Sequence, residues 1–212
     1  MTVTPMFPLE VAMLPGEKLP LRIFEPRYAA LVGDCLSAVD PAFGVVLIAA
    51  GREVGGGDER CNIGALARIV ECGDFGGGRY RLRCVMGERI RVLHWLDDDP
   101  YPRASVEVWP DDPGDRVTVD QLSDVEDRII ALFERIAAVR NVELPARSEL
   151  LGEVEPGDDA GSRLYALAAR VPMGQADRYS VLSAPTSTGR LDALSEAVDT
   201  VTAMVEFQLS GE

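Results

Sequence analysis

The pattern of apolar residues changes its period once along this chain, and the change falls at a short polar segment. That segment covers residues 110–116 and consists of PDDPGDR, in which Pro and Gly interrupt both helices and strands. Before it, apolar residues alternate with polar ones or form short β-branched runs, whereas after it they recur every three or four residues. The sequence therefore predicts a β-rich domain over residues 1–110, a linker over 111–118 and a helical subdomain over 119–212.

The first half contains several predicted strands at short intervals. The run from Phe43 to Gly51 is apolar and β-branched, as is typical of a buried strand. Residues 79–85 alternate between Arg and apolar side chains, and three glycines at 76–78 predict a turn that pairs this strand with residues 63–72. Further strands are expected over 88–95 and 104–109. This spacing favours a small β-barrel or curled sheet.

One helix is expected within the β-rich half and four after it. Pro26 suits the first turn of a helix, and the apolar residues from Tyr28 to Leu36 then fall on one face. Thr118 and Gln121 have the spacing of a capping box, which predicts a helix start. Later helices are predicted to begin near Ser162, Gln175 and Ser187, with residues 141–161 interpreted as a loop. The predicted fold class is α+β, with a barrel, one inserted helix and a C-terminal helical bundle.

The charge of the chain argues against two classes of partner. The formal net charge is −14 at pH 7, with −3 in residues 1–110 and −11 in residues 111–212. Nucleic acids and anionic membranes are bound largely by neutralising phosphates with Lys and Arg, so we expect neither as a partner. No stretch approaches the roughly 18 apolar residues of a membrane span, and the first residues lack the basic start of a signal peptide. We therefore expect a cytoplasmic protein.

No residue pattern in the sequence is typical of an enzyme. A phosphate-binding loop needs a Lys after its second glycine, but Lys18 is the single lysine and lies in a Pro- and Gly-bounded segment. His94 is the single histidine, and no G-x-S-x-G turn is present. The four cysteines form no C-x-x-C pair, so we interpret them as reduced thiols. The sequence predicts no catalytic residue, no metal site and no cofactor.

The N-terminal segment resembles a known family. Residues 6–28 are MFPLEVAMLPGEKLPLRIFEPRY, and an apolar helix and the run FGVVLI follow. This pattern resembles the opening of the Lon N-terminal domain, and more closely the free-standing bacterial members of that family. The resemblance continues through Gly87-Glu-Arg-Ile-Arg-Val92 and Asp177-Arg-Tyr-Ser-Val-Leu182. It implies a PUA-like barrel followed by helices, in a region that recognises polypeptide substrates in the full proteases.

The function that the resemblance implies is non-catalytic polypeptide binding, as an adaptor or holdase in protein quality control. A hydrolase acting alone and an RNA-binding PUA-like protein are the alternatives. We expect substrate contacts in a cleft between barrel and helices, from four apolar residues near loops: Met13, Leu14, Trp95 and Tyr101. Within the family motif we expect structural roles for Glu25 as a helix cap, Arg27 as a carboxylate partner, and Phe24 and Tyr28 as core residues. The partners are unfolded or specific polypeptides, in an oligomeric state that the sequence leaves open.

Overall fold

The first half of the chain forms a mixed six-stranded sheet that closes on itself through its longest strand. The computed structural model describes residues 2–50, 59–153 and 159–210. Its strands are β1 (Thr2–Leu9), β2 (Lys18–Ile23), β3 (Ala42–Ala50), β4 (Glu59–Asp74), β5 (Tyr80–Leu96) and β6 (Arg103–Val108). The strand order is β2-β5-β4-β3-β1-β6, and β6 also pairs with β5, which closes five strands into a barrel. Among the described strands, β1 and β3 pair in parallel and all other pairs are antiparallel.

Strand β5 holds the sheet together because it pairs with three other strands. Residues 80–85 pair with the whole of β2, and residues from Ile90 onwards pair with β6. Along its other side β5 pairs with β4 from Ile63 to Asp74. Strand β2 therefore has one strand neighbour within the described chain and lies at the edge of the sheet.

Two apolar clusters lie on opposite faces of these strands. The first surrounds helix α1 (Pro26–Leu36) and contains Leu31, Cys35, Val45 and Leu82 among its buried residues. The second cluster, which we call the barrel cluster, alternates with it along the strands. Its buried members are Met6, Val46, Ile90, Val92, Ala104 and Val106.

Glycines let the strands of the barrel approach one another closely. A Cβ atom on Gly64 would lie 2.0 Å from the carbonyl oxygen of Val45, far inside van der Waals contact. A Cβ on Gly44 would lie 2.5 Å from the sulfur of Met6, which fills that space instead. The packing of β3 against β4 and of Met6 into the barrel thus depends on these two glycines.

The second half forms a helical unit, since the chain divides into compact units at residues 1–110 and 111–212. Its helices are α2 (Val119–Arg140), α3 (Arg147–Leu151), α4 (Ala160–Ala168), α5 (Gln175–Ser183) and α6 (Ser187–Ser210). The capping box at Thr118 and Gln121 is confirmed, with both reciprocal hydrogen bonds present. At α4 the side chain of Asp159 accepts from the backbone N–H of Ser162 at 2.7 Å.

An ion pair between a buried arginine and a partly exposed aspartate fixes the start of the helical unit to its last helix. Arg190 in α6 is 1% exposed and donates to both carboxylate oxygens of Asp111, at 3.1 and 2.5 Å. Its guanidinium also lies 3.9 Å from the ring centre of Tyr165. The backbone N–H of Asp112 donates to the carbonyl of Pro185. The first residues of the predicted linker are thus bound to the helices.

The α+β class and helix α1 agree with the prediction, but two local predictions are wrong and two strands were not predicted. Residues 79–85 and 88–95, predicted as separate strands, belong to one continuous strand. Strands β1 and β2 were not predicted, because their prolines count against strands. The predicted loop 141–161 contains α3. Residue 51 of the predicted strand and residues 154–158 of the loop lie outside the described residues.

We predict that Leu31→Ala destabilises the protein by about 2–5 kcal/mol, because Leu31 is fully buried in the cluster around α1. The matched control is Leu36→Ala, since Leu36 lies on the same helix with 42% of its surface exposed. Denaturant unfolding of both variants measures the difference. A loss below about 1 kcal/mol for Leu31→Ala would contradict the assignment of this helix face to the core.

Candidate functional site

A pocket of about 390 Å³ opens at one mouth of the barrel. Its lining comes from all five strands of the closed barrel: Thr2, Val3, Thr4, Pro5, Ala42, Leu66, Ile90, Val106, Glu107 and Val108. Because Ile90 and Val106 also belong to the barrel cluster, the pocket is the open continuation of that core. A concave, mostly apolar space of this volume is within the usual range for a binding site.

The chemistry of the pocket favours an apolar group with some capacity for hydrogen bonding. Glu107 is the charged residue of the lining, and its carboxylate lies 3.7 Å from the guanidinium of Arg91. Thr2 and Thr4 add hydroxyl groups, while Val108 remains more than half exposed at the rim. An aliphatic or aromatic side chain entering here would cover this exposed apolar surface.

A second exposed apolar feature lies where three neighbouring strands end. The last paired row of β2, β5 and β4 consists of Ile23, Tyr80 and Asp74. Phe24 follows Ile23 and Phe75 follows Asp74, so both rings extend from the same end of the sheet. Both rings are mostly exposed, at 66% and 62%. Phe75 also lies beneath the guanidinium of Arg81, 5.5 Å from it. We call Phe24 and Phe75 the aromatic pair.

The turn beside the aromatic pair is the glycine turn that the sequence predicts. Gly76, Gly77 and Gly78 all have positive φ angles, between 62° and 75°, which glycine adopts without the strain that a Cβ would cause. The N–H of Phe75 donates to the carbonyl of Arg79 at 2.9 Å and closes the turn. This backbone holds Phe75 at the end of the sheet.

The four residues predicted to contact substrate do not share one exposed surface. Leu14 is fully buried, and Tyr101 is a buried member of the cluster around α1. Met13 is partly buried against that cluster, whereas Trp95 packs against the barrel cluster. The premise that these side chains lack access to a core is therefore wrong for Leu14 and Tyr101.

Tyr101 and Trp95 are held by polar contacts as well as by packing. The hydroxyl of Tyr101 donates to Asp34 at 2.5 Å, and burial together with this hydrogen bond raises the pKa of Tyr101 to about 12. The indole of Trp95 donates to Asn62 at 3.4 Å and lies under the guanidinium of Arg60, 4.8 Å from it. Arg60 is in turn fixed by two hydrogen bonds to Asp98.

The family motif is largely structural, with one exception. Tyr28 is buried and stacks on Phe7 with ring centres 4.2 Å apart. Arg27 pairs with Glu25 at 3.1 Å, as predicted for a carboxylate partner. Glu25 occupies the N-cap position without a capping hydrogen bond from its side chain, so its predicted capping role is wrong. Phe24 is also not a core residue, because it follows the last paired residue of β2 and remains exposed.

The cysteines are free thiols, and two of them are buried. Cys35 and Cys84 lie in the cluster around α1, and burial raises the pKa of each thiol to about 12. Cys35 also donates to the carbonyl of Ala42 at 3.3 Å. Protonated thiols of this kind are weak nucleophiles and act as small apolar side chains.

Among residues 2–50, 59–153 and 159–210, no three His, Cys, Asp or Glu side chains are grouped to hold a metal ion. No helix in those ranges combines the length and the apolar character that crossing a membrane requires.

Comparison with known proteins identifies the family. A family model described as the ATP-dependent protease La (LON) substrate-binding domain matches residues 3–200. The chain belongs to this Lon substrate-binding domain family. Lon protease 1 of Herpetosiphon aurantiacus is 26% identical over 92% of this chain, and the chain spans 25% of that protein's length.

Two solved structures support the fold. The Lon N-terminal domain protein from Xanthomonas campestris superimposes with a TM-score of 0.64 at 27% identity, covering 92% of this chain and 98% of that one. The N-terminal domain of a Mycobacterium avium complex Lon protease gives a TM-score of 0.60 at 16% identity, covering 93% and 98%. The second likeness concerns the fold alone.

Sequence reasoning missed both the pocket and the aromatic pair. The alternation of Thr2, Thr4 and Met6 contains a weak signal that these residues share one face. The pocket itself depends on five strands meeting around one space, which no local pattern specifies. For Phe75, its position beside three glycines was a usable signal, because aromatic residues in turns rarely reach a core.

We predict that Tyr101→Phe lowers stability by about 1–3 kcal/mol, because Asp34 loses a charge-assisted hydrogen bond. The raised pKa of Tyr101 implies stabilisation that is present below about pH 10 and is lost as the pH rises through about 12. Unfolding free energies of both proteins measured from pH 8 to 12 should therefore converge. A constant difference over this range, or a loss of polypeptide binding without a change in stability, would contradict a structural role.

Proposed function

We propose that this protein binds unfolded segments of other polypeptides without cleaving them, and acts as an adaptor or holdase. The observation that carries the proposal is the apolar pocket at the barrel mouth, with the exposed side chain of Val108 at its rim. An unfolded chain offers apolar side chains that a folded protein keeps buried, so a pocket for such groups selects unfolded segments. Membership of the Lon substrate-binding domain family supports this class of ligand.

The absence of catalysis is part of the same proposal. The family model is a substrate-binding module, and the relative from Herpetosiphon matches over a quarter of its own length. Lys18 pairs with Val85 at the start of β2, and His94 is exposed in β5 opposite Ser105. Among the described residues, neither side chain hydrogen-bonds to a carboxylate or a serine hydroxyl. An activated nucleophile would require such a bond.

We predict that Val108→Asp weakens binding of an unfolded polypeptide by about fivefold or more. A carboxylate at the rim loses hydration whenever an apolar group enters the pocket, and this cost opposes binding. The measurement is fluorescence anisotropy with labelled, reduced and carboxymethylated lactalbumin, which cannot refold.

The matched control is Val70→Asp. Val70 has the same side chain, lies in β4 away from the pocket lining and is 61% exposed, against 57% for Val108. Both variants add one negative charge, so a general electrostatic effect would weaken binding equally. Equal binding by the wild type and Val108→Asp would exclude the pocket as the site.

A further inference from the structure

We infer that the free edge of strand β2 binds an extended, acidic segment of a polypeptide as an additional, antiparallel β-strand. This inference deepens the proposed function, on which it rests, by naming a second contact and the chemistry of the segment that it selects. The edge lies in the N-terminal unit, among residues that the structure describes.

The direction of the backbone groups follows from the hydrogen bonds beside β2. The N–H of Gly16 donates to the carbonyl of Met86, and the N–H of Met86 donates to that of Glu17, both at 2.8 Å. In antiparallel pairs every second residue points its backbone groups at the partner strand. Glu17 is the residue that bonds to Met86. Counting every second residue from Glu17, the residues of β2 that point their backbone groups at β5 are Leu19, Leu21 and Ile23.

The intervening residues, Lys18, Pro20 and Arg22, therefore point their backbone groups away from β5. On that side the described chain provides no strand, since β2 ends the strand order. Two backbone N–H groups and three carbonyls therefore point toward this open side, because Pro20 has no N–H. A proline is tolerated here since its missing donor falls on the unpaired side, which is where prolines occur in edge strands.

The side chains beside this edge are positively charged. Lys18 and Arg22 are exposed on β2, and Arg81 and Arg83 lie directly opposite Arg22 and Pro20 on the same face of β5. Of these, Arg83 is paired with Glu71 at 2.9 Å. This strip of cations is complementary to the carboxylates of an acidic ligand.

The spacing of the cations defines the ligand. Residues of an added strand that lie opposite Lys18 and Arg22 are four apart and face the same side of the sheet. Acidic residues at positions i and i+4 would meet the two cations. The residues at i+1 and i+3 would face the side of Leu21, which is partly buried against the cluster around α1. The inferred ligand is an extended segment with alternating apolar residues between two carboxylates.

The probe is a fluorescein-labelled peptide, Ser-Glu-Val-Thr-Val-Glu-Ser, tested by anisotropy against the full chain at 50 and 150 mM salt. Methylating the backbone nitrogens of both Glu residues should weaken binding by about tenfold or more, because their N–H groups would donate to β2. Methylating both Val nitrogens is the matched control, since those N–H groups point away from β2. A peptide with Lys in place of Glu should not bind.

Protein variants test the same contacts from the other side. Arg22→Ala removes the charge and should weaken both affinity and its salt dependence. Arg22→Pro removes the same charge and also the outward N–H, and should bind about three- to tenfold more weakly than Arg22→Ala. Thermal unfolding checks that Arg22→Pro is folded, and the methylated peptides keep the inference testable if it is not.

Several outcomes would overturn the inference. The inference is wrong if the peptide methylated at Glu, or the peptide with Lys in place of Glu, binds as tightly as the unmodified peptide. It is also wrong if a uridine dodecamer binds more tightly than the peptide and the same variants weaken that binding. A third contrary result is a dimer of this chain that Arg22→Pro dissociates, while the peptide does not bind. Binding of carboxymethylated lactalbumin without binding of the peptide overturns the edge site alone. Binding of neither probe overturns the proposed function as well.

Discussion

The closure of the sheet on β5 is the constraint on which the N-terminal unit depends. One strand of 17 residues satisfies backbone groups of β2, β4 and β6, and its shift in register between Val92 and His94 allows the bend that closure needs. Closure gathers side chains of five strands around one interior, which creates the barrel cluster and the pocket above it. Because β6 takes up only the second half of β5, strand β2 is left on the first half with an open edge.

The sequence allowed prediction of elements whose evidence is local. The strand beginning near Phe43, the hairpin around Gly76–Gly78 and the helix after Pro26 are each specified by a few adjacent residues, and all three are present. Strands β1 and β2 were missed because prolines interrupt their patterns. Pro5 lies where β1 changes partner from β6 to β3, and Pro20 faces the open edge. Both positions depend on topology, so no local rule identifies them.

The candidate site was less predictable than the fold, since exposure is decided by distant parts of the chain. Phe24 and Tyr28 are four residues apart in one motif, yet one is exposed and the other is buried against Phe7. Tyr101 resembles a loop aromatic in the sequence, but the structure brings it to Asp34 on helix α1. The aromatic character of Phe24, Tyr28 and Tyr101 is visible in the sequence. It does not show whether each ring packs in the core or is exposed to contact a partner.

A protein that binds many unfolded polypeptides must recognise features that different sequences share. An apolar pocket recognises one side chain and tolerates different aliphatic or aromatic groups, because dispersion and burial have little directionality. A strand edge recognises the backbone, which is common to all sequences, and requires only that the segment be extended. Folded proteins satisfy neither condition, since their apolar side chains are packed and their backbone groups are paired. The cations of β2 would then add the selectivity that neither feature provides, by favouring acidic segments among those that are unfolded.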